Sequence, residues 1–199
     1  KQTEAEERET VVAISELIEY YKGIFTILSS CASRQLEEVT FRRATISVPE
    51  LMATAGKYFR KVYKGNKAHI DFKIKPLEGR ITGDWNQLRF LLENLIDEAC
   101  SVTLDGAVCL SAREDGEFIR FLFTDMRREK TRDELNQLFY PDLSRMTAGE
   151  KGELYGTEYL VCKQIIRDHD EFAGRRGCRI NAEPGKEGGF TIYFTLPKK

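Results

Sequence analysis

The sequence predicts a two-layer α/β sandwich of the α+β kind: a mixed, mostly antiparallel sheet with helices on one face, preceded by a long helix. Three observations point there. Runs at 107–113 and 118–124 alternate apolar and polar residues on either side of a Glu-Asp-Gly turn, and 178–183 and 189–196 repeat this around Pro-Gly-Lys-Glu-Gly-Gly. Between and before these pairs lie stretches with helical periodicity, the clearest at 85–99. Strands in hairpins interleaved with helices imply helices gathered on one side of the sheet.

The elements follow in order. After a charged start, Ile14, Leu17, Tyr21, Ile24, Leu28 and Cys31 form an a/d heptad seam widened by Ile18 and Phe25. Such a seam suits a helix docked on the domain or a bundle between subunits. Nothing before it can pack against it, so self-association through residues 11–36 is expected. This divides the chain into 1–37, a dimerisation-type helix, and 38–199, the sandwich. The polar helix beginning at Lys1 reads as the cut end of a longer protein.

Residues 39–48 alternate with β-branched side chains and predict a strand. Pro49 opens a helix whose apolar positions are Leu51, Met52, Ala55, Phe59 and Val62. Residues 68–75 form a strand with His69 outward and Ile70, Phe72 and Ile74 inward; 80–82 supply its short partner. Gly83 and the N-cap candidate Asp84 then begin the central helix, with a stripe at Leu88, Leu91, Leu92, Leu95, Ile96 and Ala99. Asn94, Asp97 and Glu98 lie on its polar side. Asp125 ends the hairpin that follows, and strand-end carboxylates often stand over a ligand crevice. Residues 126–155 are irregular and basic, with a helical turn near 133–140, in the manner of a lid or binding loop. A helix over 156–169 ends at His169, where an imidazolium would suit the helix dipole.

Composition narrows the function. Among 199 residues, 41% hydrophobic and 32% charged content fits an ordinary globular core with charged faces. A net charge of −1 gives no global case for nucleic acid or an anionic membrane, and no run reaches spanning length. The chain is therefore expected to be cytoplasmic. Five scattered cysteines, Cys31, Cys100, Cys109, Cys162 and Cys178, read as core thiols rather than disulfides or a metal site.

Four local motifs carry a family resemblance that extends from about residue 12 to the end. Asn94-Leu-Ile-Asp-Glu98-Ala99 is similar to a helix motif N-L-x-x-N-A, and Asp125-Met-Arg127-Arg128-Glu129 to a strand end D-x-G-x-G. Leu135-Asn-Gln-Leu-Phe139-Tyr-Pro141 resembles an L-x-x-I-F turn, and Gly156-Thr-Glu158 stands at the start of a glycine-opened helix. Together with the element order, these resemble the ATP-binding domain of bacterial sensor histidine kinases, the HATPase or GHKL type of the Bergerat fold. The resemblance implies ATP and Mg²⁺ as cofactors, Asp125 accepting from the adenine amino group, and Asn94 with Glu98 at the metal. It implies Phe139 in the lid, the bare backbone of Gly156 at phosphate, and Arg127 and Arg128 as side-chain phosphate ligands in place of lost glycines. It also implies a homodimer through the leading helix, a response regulator as partner, membrane anchoring further upstream, and a phosphoaccepting histidine upstream; no residue here is read as catalytic, since His69 and His169 both lie in the ATPase-like part.

Departures matter as much. Glycines of the second motif are replaced, and acids stand at three contact positions, Glu98, Glu129 and Glu158. Acids beside a triphosphate oppose its binding. The arginines could compensate by gripping phosphate, or could pair with Glu98 and Glu158 and fill the pocket themselves. Two functions follow: the catalytic part of a sensor histidine kinase with eroded phosphate motifs, or a pseudokinase-type binding and dimerisation module. On the first, Asp125→Ala should abolish nucleotide binding with little loss of folding.

Overall fold

In the computed structural model, the described residues are 41–63, 68–139 and 157–199; the expected dimerisation helix, the coiled-coil seam, Cys31, Gly156 and most of the lid fall outside them. The elements are β1 (Arg43–Ser47), α1 (Val48–Val62), β2 (Ile70–Lys75), β3 (Arg80–Asp84), α2 (Trp85–Ser101), β4 (Gly106–Asp115), β5 (Phe118–Asp125), α3 (Arg132–Gln137), α4 (Thr157–Phe172), β6 (Ile180–Pro184) and β7 (Phe190–Pro197). Five strands form one sheet in the order β2-β4-β5-β7-β6; β2 runs parallel to β4 and the remaining neighbours are antiparallel. The expected mixed, mostly antiparallel sheet with helices on one face is what forms.

Period-two patterning sets which face is covered. Along β5, Ile119, Phe121, Phe123 and Asp125 are buried while the residues between them are half-buried. The inward rings meet across strands, Phe121 stacking on Phe194 with centroids 5.0 Å apart. Leu88, Leu91, Leu92, Leu95, Ile96 and Ala99 of α2 pack onto this face from above and are all buried. Each such side chain contributes about 1.5–3 kcal/mol when fully buried, except the smaller alanine, so this stripe anchors the helical layer.

Local chemistry starts the helices where the sequence indicated. Ser47 caps α1 by accepting from the Glu50 N–H, with Pro49 in the first turn. Asp84 caps α2: its Oδ1 accepts from Asn86 and Gln87 N–H at 2.9 and 3.1 Å. Its Oδ2 accepts from Arg42 N–H, tying in the chain before β1. Thr131 and Glu134 form a reciprocal capping box on α3.

One pairing differs from expectation. Residues 80–84 do not pair with β2 but with β1, in a separate two-stranded antiparallel sheet. Adjacent strands pair only as a tendency. Here Pro76, which has no N–H to give a ladder, interrupts the connection, and β2 instead takes β4 as a parallel neighbour. The strand expected over 39–48 is also shorter, because Val48 already belongs to α1. None of the helices among the described residues is long and apolar enough to cross a membrane.

Candidate functional site

Asp125 is the last residue of β5, on the same face as Phe121 and Phe123, and its side chain is 1% exposed. A carboxylate in that place needs compensation, since an unpaired buried charge is strongly disfavoured. The next two residues of sequence supply it. The chain turns just past β5, so that Arg127 donates its backbone N–H and its Nε to Asp125 Oδ1, at 3.0 and 2.9 Å. Arg127 Nη2 reaches Oδ2 at 2.8 Å, and Arg128 Nε reaches the same oxygen at 3.0 Å. A carboxylate offers about four acceptor positions. These four bonds fill them.

Arg127 is itself wholly enclosed, with a side chain 0% exposed. It also donates Nη2 to the Ala99 carbonyl in the last turn of α2 at 2.7 Å, and Nη1 to the Leu104 carbonyl, in the chain just past that helix, at 3.1 Å. The Ala99 carbonyl is one that a helix end leaves without a partner, and a cation there also offsets the helix dipole. Gly106, at φ +134, makes room for this: a Cβ there would stand 2.9 Å from Arg127 Cγ.

Arg128 spans from the sheet to the helices. Besides Asp125, it donates Nη1 to Glu98 Oε1 at 2.9 Å, and its guanidinium lies over the Phe190 ring, 5.3 Å from the centroid. Burial works against its charge, but Glu98 and Asp125 outweigh this and hold its pKa above the ordinary value. Glu98 Oε1 also accepts from the Tyr159 hydroxyl of α4 at 3.2 Å. Burial, then the Glu98 carboxylate, push the Tyr159 pKa well above its ordinary value, so the phenol stays a donor. The lid is seated beside it: Phe139 packs edge-on against Tyr159 at 5.8 Å, and Lys163 Nζ donates to the Phe139 carbonyl. The result is one network joining β5, α2 and α4, with two carboxylates against two guanidinium groups.

Three-dimensional similarity gives this frame a known parallel. The histidine kinase AdeS of Acinetobacter baumannii superposes with a TM-score of 0.64 at 12% identity, over 90% of this chain and 79% of that one. The catalytic domain of the histidine kinase ThkA gives 0.60 at 17% identity, over 79% and 96%. The fold is that of the histidine-kinase catalytic domain. Full-length ShkA, solved in complex with AMPPNP, matches with a TM-score of 0.64 at 18% identity; the alignment takes in 97% of this chain but 39% of ShkA. No family model and no curated protein matches the sequence.

Within the histidine-kinase fold, the residues singled out from sequence separate into two groups. Asp125, Arg127, Arg128 and Glu98 come together in the network above. Asn94 does not join them; its Nδ2 donates to the Phe90 carbonyl one turn back in the same helix, at 2.9 Å. Glu98, the other residue suggested for Mg²⁺, is held by Arg128 and Tyr159. Phe139 lies one ring away from the network, and Gly156 lies outside the described residues. Tyr159 and Phe190 also belong to the site, though nothing in the sequence marks them. Their apolar patterning disguised them as plain core residues, although the β5–β7 register, with Asp125 opposite Phe190, brings the latter there.

His169 lies in the last turn of α4, as expected, but in a different role. It is fully buried rather than capping as a cation: Nδ1 meets the Ile165 carbonyl at 2.8 Å, and Nε2 accepts from the Asp84 N–H at 3.0 Å. Those partners fix a neutral ring with its proton on Nδ1. Burial lowers its pKa, partly offset by the Ile165 carbonyl and Asp84. It locks α4 to the start of α2.

Proposed function

We propose that this chain is a sensor histidine-kinase domain retained as a binding and dimerisation module, its nucleotide site closed by its own arginines. The observation that carries this reading is the saturation of Asp125. All four acceptor positions of the carboxylate expected to take the adenine amino group are filled by Arg127 and Arg128. The residues do not fit ATP and Mg²⁺ as they stand. Arg127 is buried, its guanidinium held by Asp125 and by the Ala99 and Leu104 carbonyls. Glu98 is held by Arg128 and Tyr159, and Asn94 turns its amide N–H back onto its own helix rather than joining Glu98. Dimerisation through residues 11–36 and docking of a response regulator belong to the same proposal; light scattering with and without those residues tests the first.

A second reading, a divergent but active kinase, draws support from ShkA, which shares the fold and was solved with AMPPNP. It requires Arg128 to leave Asp125. Isothermal titration of Mg²⁺·AMPPNP into the protein separates the two. No heat at about 1 mM nucleotide is expected for the closed module; a micromolar Kd establishes the kinase reading instead.

A further inference from the structure

We infer that the hollow now filled by Arg128 is a recognition site for an alkylguanidinium group, and that Arg128 is its resident ligand. This deepens the closed-site reading and rests on it. The atoms that Arg128 touches are Asp125 Oδ2, at 3.0 Å from both Nε and Nη2, and Glu98 Oε1, at 2.9 Å from Nη1. All are acceptors. They are spaced so that one planar fork serves both carboxylates at once, which an ammonium cannot imitate.

Around them the site is built rather than incidental. Asp125 is 1% exposed and pinned on its other side by Arg127, so its oxygens cannot turn away. Tyr159 fixes Glu98 from α4. Phe190 lays a ring face beneath the guanidinium carbon, and Lys130 Nζ stands over the same ring at 5.6 Å. A planar cation with donors along two edges answers both carboxylates and the ring face. A phosphate, which only accepts, answers none of those three.

The resident is tethered loosely enough to be replaced. Arg128 is 15% exposed, and it sits in the irregular chain between β5 and α3 rather than in a strand or helix. A guanidinium offered from outside would compete with it for the same oxygens. Competition is weak while Arg128 is present, because a tethered group acts at high effective concentration. Removing it should expose the preference.

The test is titration of Arg128→Ala with ethylguanidinium chloride at constant ionic strength, followed by melting temperature and calorimetry, with N-ethylurea as the neutral isostere. Saturable binding with a Kd of roughly 1–10 mM and a rise in Tm of about 3 °C are expected, with no response to N-ethylurea and none from the wild type. Arginine and its N-acetyl methylamide distinguish a free guanidine from a protein-borne arginine, and saturation by either supports the site. Should the Ala variant melt too low, Arg128→Gln, which keeps part of the stem, takes its place. A folded variant that ignores ethylguanidinium, or that answers equally to N-ethylurea, overturns the inference. So does one that binds AMPPNP in preference to it. The closed-site reading fails separately, on AMPPNP binding by the wild type.

Discussion

Arg127→Met tests the network at its most enclosed member. The change keeps an apolar stem of similar length and deletes a guanidinium that is 0% exposed. Four contacts go with it: Nε and Nη2 on Asp125, and the bonds to the Ala99 and Leu104 carbonyls. Removing one partner of a buried ion pair typically costs about 3–5 kcal/mol, and each orphaned carbonyl adds about 1 kcal/mol. Arg128 stays on Oδ2 and offsets part of this, leaving a net loss of about 4 kcal/mol. That is a large share of a typical folding free energy and lowers Tm by roughly 8–16 °C. Urea denaturation gives the value directly. Adding Asp125→Leu, which continues the apolar alternation of Phe121 and Phe123, should recover about 2 kcal/mol or more of it, because an apolar pair can replace a buried ion pair. A single variant within about 1 kcal/mol of wild type, or a double variant that is simply additive, refutes the assignment. By the same logic, Asp125→Ala carries a folding cost that the sequence alone did not suggest.

Three further outcomes follow from other parts of the molecule. Glu98→Asn removes one of the two anchors of Arg128 but leaves Asp125 saturated. Its affinity for Mg²⁺·AMPPNP in calorimetry should match the wild type, whereas a site merely repelled by the acid would bind more tightly. His169 has a folded pKa below its ordinary 6.5, so the unfolded state takes up the proton first. Its contribution is intact above pH 6.5 and lost as pH falls through the window beneath; melts in that window should show a shallower pH slope in His169→Gln. Gly189, at φ +68, leaves no space for a Cβ, which would collide with the Asp125 carbonyl oxygen and Met126 Cα. Gly189→Ala should cost about 2 kcal/mol or more, read by denaturant midpoint, and a neutral result there would show that the β6–β7 hairpin yields readily.

The layers of the fold were legible because they rest on local periodicity. The α2 stripe and the β5 alternation each bury the residues their spacing nominates. The Asp84 cap needed only a carboxylate two and three residues ahead of the N–H groups it serves. Strand partnership was not legible in the same way: nothing in 70–84 announces that β3 prefers β1, since β2 is much the nearer strand in sequence and adjacency favours it. At the site, the sequence displayed two arginines and several acids, enough to suggest that the arginines fill the pocket, and pointed to Glu98. It did not show Asp125 as their principal partner, because a pairing over two or three residues depends on how sharply the chain turns after β5. Glu158, the other acid suggested, has no described side chain. Tyr159 and His169 were hidden for one reason: a polar atom within an apolar stripe matters only once its partner on another element is known.

The most direct measurement is a crystal structure of the protein soaked with Mg²⁺·AMPPNP. Both guanidinium groups are expected on the Asp125 carboxylate, with no adenine beside it. An adenine amino group bonded to Asp125, with Arg128 swung away from Phe190, would contradict the closed site.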